Sequence, residues 1–212
     1  MKKKKIIWNR DLRNRAIIFV ILMIAAIVVI FPYIWMISNS FKSTKETMMD
    51  PGHLLPQQFT LEGYREVLFK SPFFTWLRNS VVITVIDTAI VLFTSSLLGF
   101  IFSRFRFRGK KLLFMILLST MMVPAQTTMI PSFLLIDRIG LYDHIGALIV
   151  PAVINAFGIY LCKQYCDEVP AELIECARID GAGNFTIYAK IIMPCIRPAL
   201  GALGIFTFLE HW

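Results

Sequence analysis

Apolar positions in this chain come in long unbroken runs, separated by short charged stretches, rather than at the period of a soluble helix or strand. The first run, AIIFVILMIAAIVVIFPYIWMI from Ala16 to Ile37, has 22 residues, enough to cross about 30 Å of hydrocarbon. It follows Lys2 to Lys5, Arg10, Arg13 and Arg15 and continues into Phe31, Pro32, Tyr33 and Trp35. Those aromatics suit an interfacial belt better than the small-residue site behind a cleaved signal peptide, so the run reads as an uncleaved span. The second run, Asn79 to Ser103, holds fourteen Val, Ile, Leu or Phe residues and one acid, Asp87. At about −0.3 to −0.6 kcal/mol each, they outweigh the roughly +3 kcal/mol of a central Asp, so the run inserts and Asp87 should face helices or water. The third run, Leu112 to Leu135, contains Pro124 and Pro131, and the fourth, Ile145 to Cys162, contains Pro151. Each proline is expected to kink its span and free a carbonyl for a neighbouring helix. The fifth run begins near Ile196 and reaches Trp212, 17 residues, at the lower edge of spanning length.

Composition agrees with that pattern. Apolar types make up 57% of the 212 residues and charged types 17%, against about 45–50% and 25% in soluble domains. The net charge of +8 would raise nucleic acid as a partner in a soluble chain. Here the basic residues adjoin apolar runs and interleave with no stacking surface, so they read as orientation signals and no nucleic acid is expected. With the N-terminus inside, segments 1–15, 104–111 and 163–195 with Arg197 hold 16 of the 22 lysines and arginines. Segments 38–78 and 136–144 then lie outside. RFRFRGKK, between the second and third runs, is the strongest single marker. The expectation is a multi-pass membrane protein with a cytosolic N-terminus.

One polar stretch stands apart. ELIECARIDGAGNFTIYAKIIMP runs from Glu172 to Pro194 on the predicted cytosolic side. Pro170 suits the first turn of a helix and Glu172 its positive end. Leu173, Ile174 and Ala177 share an apolar side, Gly181 and Gly183 can stop the helix, and Asn184 can cap the next one. Phe185, Tyr188 and Ile192 repeat at three and four, and Pro194 marks a change of direction. Local physics thus predicts helix, glycine corner and second helix. Presentation to a cytosolic partner and a surface-lying linker under the bundle both fit that pattern.

Other chemistry is sparse. No G-x4-G-K-[ST] or G-x-S-x-G string occurs, and His53, His144 and His211 are scattered, so neither catalytic nor metal-ligating residues are expected, nor a cofactor. Cys162, Cys166, Cys176 and Cys195 lack zinc spacing and read as small apolar filler, reduced at a cytosolic face. Polar groups within spans, Asp87, Gln126, Thr127, Thr128 and Asn155, are candidates for a solute path or for helix–helix hydrogen bonds.

The polar stretch resembles the cytoplasmic loop signature EAA-x3-G-x9-I-x-L-P of binding-protein-dependent ABC importer permeases. Glu175, Cys176 and Ala177 stand at E-A-A, Gly181 follows after three residues, and Ile191, Ile192, Met193 and Pro194 close the pattern. Cys176 departs from alanine and Met193 from leucine, both conservatively. The string VPAELIECARIDGAGNF is similar to the carbohydrate-uptake, maltose-type branch. SFKSTKE, LPQQFTLEGYREVL, LRNSVVIT, FSRFRFRGKK and MVPAQTTMIPSFLLIDRIGLYDHIGALIVP extend the resemblance along most of the chain. It implies an all-α, polytopic bundle of the type I ABC importer permease kind: span 16–37, extracytoplasmic segment 38–78, and a permease core 79–212 with a coupling loop at 167–195. The last span of the family is expected to be missing after Trp212, leaving open a fragment or a truncated gene. The resemblance further implies half of a sugar pathway in the lipid bilayer, completed by a second permease subunit, driven by separate ABC ATPase subunits and fed by an extracytoplasmic solute-binding protein. Glu175, Cys176, Ala177, Asp180, Gly181, Ala182, Ile191 and Pro194 would form the coupling surface. FTLEGYREVLFK would be a short amphipathic helix facing the binding protein, or a structural lid. A permease for another solute and an ion-coupled carrier remain open alternatives.

Overall fold

The computed structural model describes residues 2–50 and 52–212, with side chains from Leu12 to Asp50 and from Gly52 onward. The basic segment 1–15 therefore lies largely outside the described side chains, and Met1 outside the described residues altogether. Two compact units divide the chain, one up to Trp76 and one from Leu77. The described residues contain helices, turns and no strand.

In the first unit, helix α1 (Lys2–Asn39) carries Pro32 inside it without ending. Its stretch Leu12–Asn39 is long and apolar enough to cross a membrane. Side chains from Leu12 to Ile34 are all exposed, which suits a helix whose surroundings are lipid tails as apolar as its own leucines. Beyond it, residues 38–70 fold back on themselves. Phe41 stacks on Phe59 with centroids 4.8 Å apart, and the Thr60 amide donates to the Phe41 carbonyl at 2.9 Å. Lys42 donates to the His53 carbonyl, Ser38 to the Leu54 carbonyl, and Ser43 accepts from Glu46 to cap α2 (Thr44–Met49). The helix expected in FTLEGYREVLFK forms as α3 (Glu62–Arg65) and runs on as a π-helical turn, Glu66–Lys70. Its apolar side is unburied, since Tyr64, Val67 and Phe69 are all exposed.

The second unit is built on α4 (Phe73–Arg104), α5 (Lys110–Thr120), α6 (Ala125–Arg138), α7 (Gly146–Ala152), α8 (Ala156–Glu168), α9 (Ala171–Ile179), α10 (Asn184–Ile187), α11 (Met193–Cys195) and α12 (Arg197–His211). Buried positions recur at helical spacing and many are small or polar: Thr84, Asp87, Ser95 and Gly99 on α4, Gly158, Cys162 and Cys166 on α8, and Ala199 and Thr207 on α12, beside larger Phe100, Ile159 and Leu203. Close approach explains the choice. A Cβ on Gly99 would lie 2.7 Å from the Cys162 Cβ, and one on Gly158 would lie 3.0 Å from the Ser95 Cβ. The α4–α8 contact is thus a small-x3-small interface, in which backbones meet because side chains are nearly absent.

Helix breaks differ from the expected kinks. The third run is two helices, α5 and α6, bent by 102°. Pro124 sits at the extended N-cap of α6, whereas Pro131 lies inside that helix without ending it. In the fourth run, α7 contains Pro151 yet the break falls later, before Asn155, whose Oδ1 accepts from the Gly158 amide at 2.7 Å and starts α8. A side-chain cap, not the proline, decides the position. α8 then continues past Cys162 to Glu168, so the connecting loop begins only at Val169. Cys162 and Cys166 are buried filler as expected, but Cys176 and Cys195 are exposed.

Candidate functional site

The stretch from Val169 to Ile196 folds as an elbow. Pro170 is the extended N-cap of α9, one position earlier than expected. Helix α9 ends in a full Schellman motif: the Ala182 amide donates to the Ala177 carbonyl at 2.8 Å, and the Gly181 amide to Arg178 at 3.0 Å. That closure requires the left-handed conformation that Gly181 adopts at φ +82°. Asn184 does not cap the second helix. It is the first residue of α10, whose N-cap, Gly183, makes no side-chain hydrogen bond. From Asn184 the chain stays helical through a π-helical turn, Tyr188–Ile192, to Cys195, then bends by 77° into α12. The turn of direction falls at Ile196, just past Pro194.

The elbow is anchored by its inner side. Val169, Ile174, Ile187, Tyr188, Ile192 and Ile196 are buried in one cluster with Phe100 and Cys166, and Ala177, Ala182 and Ile191 pack partly against it. The Tyr188 hydroxyl lies 2.7 Å from Ser96 Oγ. Arg104, from the basic RFRFRGKK string, donates to the carbonyls of Cys166 and Val169 at the C-terminal end of α8, where the Cys166 carbonyl also accepts from the Val169 amide. Ser103 donates to Asp167 at 2.6 Å, and Lys163 bridges to the same carboxylate at 2.5 Å. One of the expected orientation charges is therefore also a structural clamp between α4 and the root of the elbow.

The outer side is apolar and uncovered. Leu173 is 47% exposed, Ile179 85% and Phe185 76%. Around them Glu175, Cys176, Asp180, Gly181 and Pro194 are exposed too. Of the residues that repeat at three and four, Tyr188 and Ile192 are buried and Phe185 is exposed. Ile179 and Phe185 are the residues that sequence reasoning missed here. The available signal was an apolar residue on each side of the glycine corner, off the face defined by Ile174 and Ala177.

A cavity of about 830 Å³ opens elsewhere in the second unit, lined by polar Thr120, Thr128, Asn155, Thr207 and Glu210 and by aromatic Phe157 and Phe206. Of the intramembrane candidates, Asn155 and Thr128 come together here. Gln126 and Thr127 lie on α6 outside the lining, and Asp87 is only 1% exposed, packed inside the bundle. Asp87 Oδ1 has no hydrogen-bond partner among the described residues. Thr207 and Glu210 were not foreseen, because nothing in the fifth run marks which of its residues turn inward. No cluster of metal-ligating side chains occurs among the described residues.

Comparison with known proteins puts this geometry in context. Residues 95–212 match the model of the binding-protein-dependent transport system inner membrane component family. The chain is 33% identical over 196 residues, 92% of its length and 68% of the relative's, to the polygalacturonan/rhamnogalacturonan transport system permease protein YtcP of Bacillus subtilis. It is 30% identical over 190 residues, covering 88% of this chain and 68% of the relative, to the arabinooligosaccharides transport system permease protein AraQ of Halalkalibacterium halodurans. A solved bacterial ABC transporter involved in the import of the acidic polysaccharide alginate superposes with a TM-score of 0.82 at 29% identity, over 93% of this chain and 70% of that one. With the family match running from Ser95 through the elbow to Trp212, more than half of the chain, this chain belongs to the binding-protein-dependent transport system inner membrane components.

Proposed function

We propose that this chain forms one half of a saccharide pathway in an ATP-driven importer and receives force through the elbow at Val169–Ile196. The reading rests on one observation above the others: a rigid corner, held from inside by a buried cluster, presents Leu173, Ile179 and Phe185 uncovered. Large apolar side chains at such exposure, rimmed by Glu175, Cys176 and Asp180, mark a protein docking surface. The partner is an ABC ATPase subunit on the cytosolic side, where the distribution of basic residues puts both the elbow and the N-terminus. A second permease subunit completes the pathway, and a solute-binding protein delivers the cargo to the folded lobe at residues 38–70. The substrates in the relatives' names, arabinooligosaccharides, polygalacturonan and rhamnogalacturonan, share saccharide chemistry, which supports a sugar as cargo here.

Cys176 supplies the test. It is exposed on α9, while Cys162 and Cys166 are buried. In the full-length protein with Cys195→Ser, a membrane-impermeant maleimide is expected to label Cys176 in inverted vesicles and not in intact cells. Bound ATPase subunit is expected to block the labelling, and Ile179→Ser with Phe185→Ser to restore it. Labelling from outside intact cells would refute the orientation; labelling that is indifferent to the ATPase would refute the docking role.

A further inference from the structure

The cavity in the second unit carries a charge signature that the relatives leave open, since the substrates in their names include both neutral and acidic saccharides. Its polar lining comprises three hydroxyls, one amide and one carboxylate, with no Lys, Arg or His among the lining residues. The directions of the internal hydrogen bonds sharpen this. Thr120 donates to the Leu117 carbonyl at 2.7 Å and Thr128 to the Ala125 carbonyl at 2.9 Å, so both protons are committed to the backbone. What these hydroxyls offer to the cavity is acceptor lone pairs. Asn155 Oδ1 is occupied by the Gly158 amide, leaving Nδ2 as its donor. Glu210 adds two acceptor oxygens and a negative charge, and it makes no ion pair among the described residues. Phe157 and Phe206, edge to face at 6.3 Å, give the cavity an apolar wall.

Resting on the saccharide reading above, we propose that this cavity admits neutral, hydroxyl-rich saccharides and excludes uronides, with Glu210 as the specificity-determining residue. A neutral oligosaccharide brings O–H donors to an acceptor-rich lining and C–H faces to the aromatic wall. A uronide brings a carboxylate, which has no proton to donate and meets Glu210 as a like charge. Like charge placed together discriminates against the acid, because no counter-charge in the lining offsets it. A volume of about 830 Å³ lies within the range of sites that enclose a drug-sized ligand.

The test uses the full-length chain assembled with its permease and ATPase partners in proteoliposomes, with Cys176→Ser and Cys195→Ser and a reporter cysteine introduced by Thr128→Cys. Two measurements are made: the rate ratio of a cationic to an anionic methanethiosulfonate reagent, and protection of the reporter by galactotriose against trigalacturonate, a pair differing in the oxidation state of C6. A cationic preference of about tenfold is expected with Glu210 present, with protection by galactotriose only. Glu210→Gln, which keeps the shape, should lower the reagent ratio at least several-fold. Glu210→Lys should invert it and let trigalacturonate protect. Protection by trigalacturonate as good as by galactotriose with Glu210 in place, or a reagent ratio indifferent to Glu210→Gln, would overturn the charge assignment and leave the saccharide reading standing. Protection by neither sugar in any variant, in a complex that hydrolyses ATP, would overturn both.

Discussion

Gly99→Ala adds one methyl group where α4 crosses α8. Its Cβ would lie 2.7 Å from the Cys162 Cβ, 2.8 Å from the Lys163 amide nitrogen and 2.9 Å from the Cys162 carbonyl carbon. Ordinary contact for such an atom begins at 3.4 Å, so the nearest approach is short by about 0.7 Å. Two of those three atoms are backbone atoms of α8 and cannot rotate away. The helices must separate, and the same movement loosens Gly158 against Ser95 one turn along the interface. Overpacking of this kind costs about 1–3 kcal/mol, opposed by up to about 1 kcal/mol of better helix propensity. The net destabilisation is about 0–2 kcal/mol, and about 1–3 kcal/mol relative to a helical Gly→Ala change without the clash, read by SDS-driven unfolding of the full-length chain in mixed micelles. Gly201→Ala is the control: nothing lies within 4 Å of a Cβ there, so it should be neutral or slightly stabilising. Cys162→Gly should rescue Gly99→Ala only in part, because the two backbone contacts remain. If Gly99→Ala proves as stable as Gly201→Ala, the two helices do not cross at this distance.

At Gly181 the constraint is conformational instead, since open space surrounds its missing Cβ but φ is +82°. Gly181→Ala should cost about 1 kcal/mol and Gly181→Asn less, because Asn tolerates the left-handed region. With transporter assembly intact, Gly181→Val should hydrolyse ATP with reduced uptake while Gly181→Asn keeps both coupled; equal coupling in the two would count against a required corner. Arg104→Ala should destabilise the second unit by about 3 kcal/mol, since two carbonyls lose a charged donor worth about 1.5–3 kcal/mol each and relaxation recovers some of that. Arg104→Lys should keep part of the effect, and in the same micelle unfolding a loss below about 0.5 kcal/mol would show that the clamp is idle.

Several features were legible without coordinates because they depend on local chemistry. The length and apolarity of the runs fix where helices can cross lipid, and backbone hydrogen bonding leaves helix as the only form for such segments. Gly181 could be assigned to a corner from spacing alone, because few other residues stop a helix that way. Inward and outward faces were not legible. In a soluble helix, apolarity marks the buried side; in lipid both sides are apolar, and contact is chosen by small volume and hydrogen bonding. Periodicity therefore did not separate exposed Phe185 from buried Tyr188 and Ile192, and nothing marked Ser95, Gly99, Gly158 and Cys162 as a seam. The break at Asn155 was hidden behind Pro151, the louder local signal. Thr207 and Glu210 join a cavity only because α12 comes beside residues of α5, α6 and α8 far away in the chain. Sequence alone determined that this chain is a helical membrane protein with a stiff glycine-cornered elbow. Which small residues let helices touch, and which polar groups share a cavity, was decided by tertiary packing, because such contacts join residues that no local pattern links.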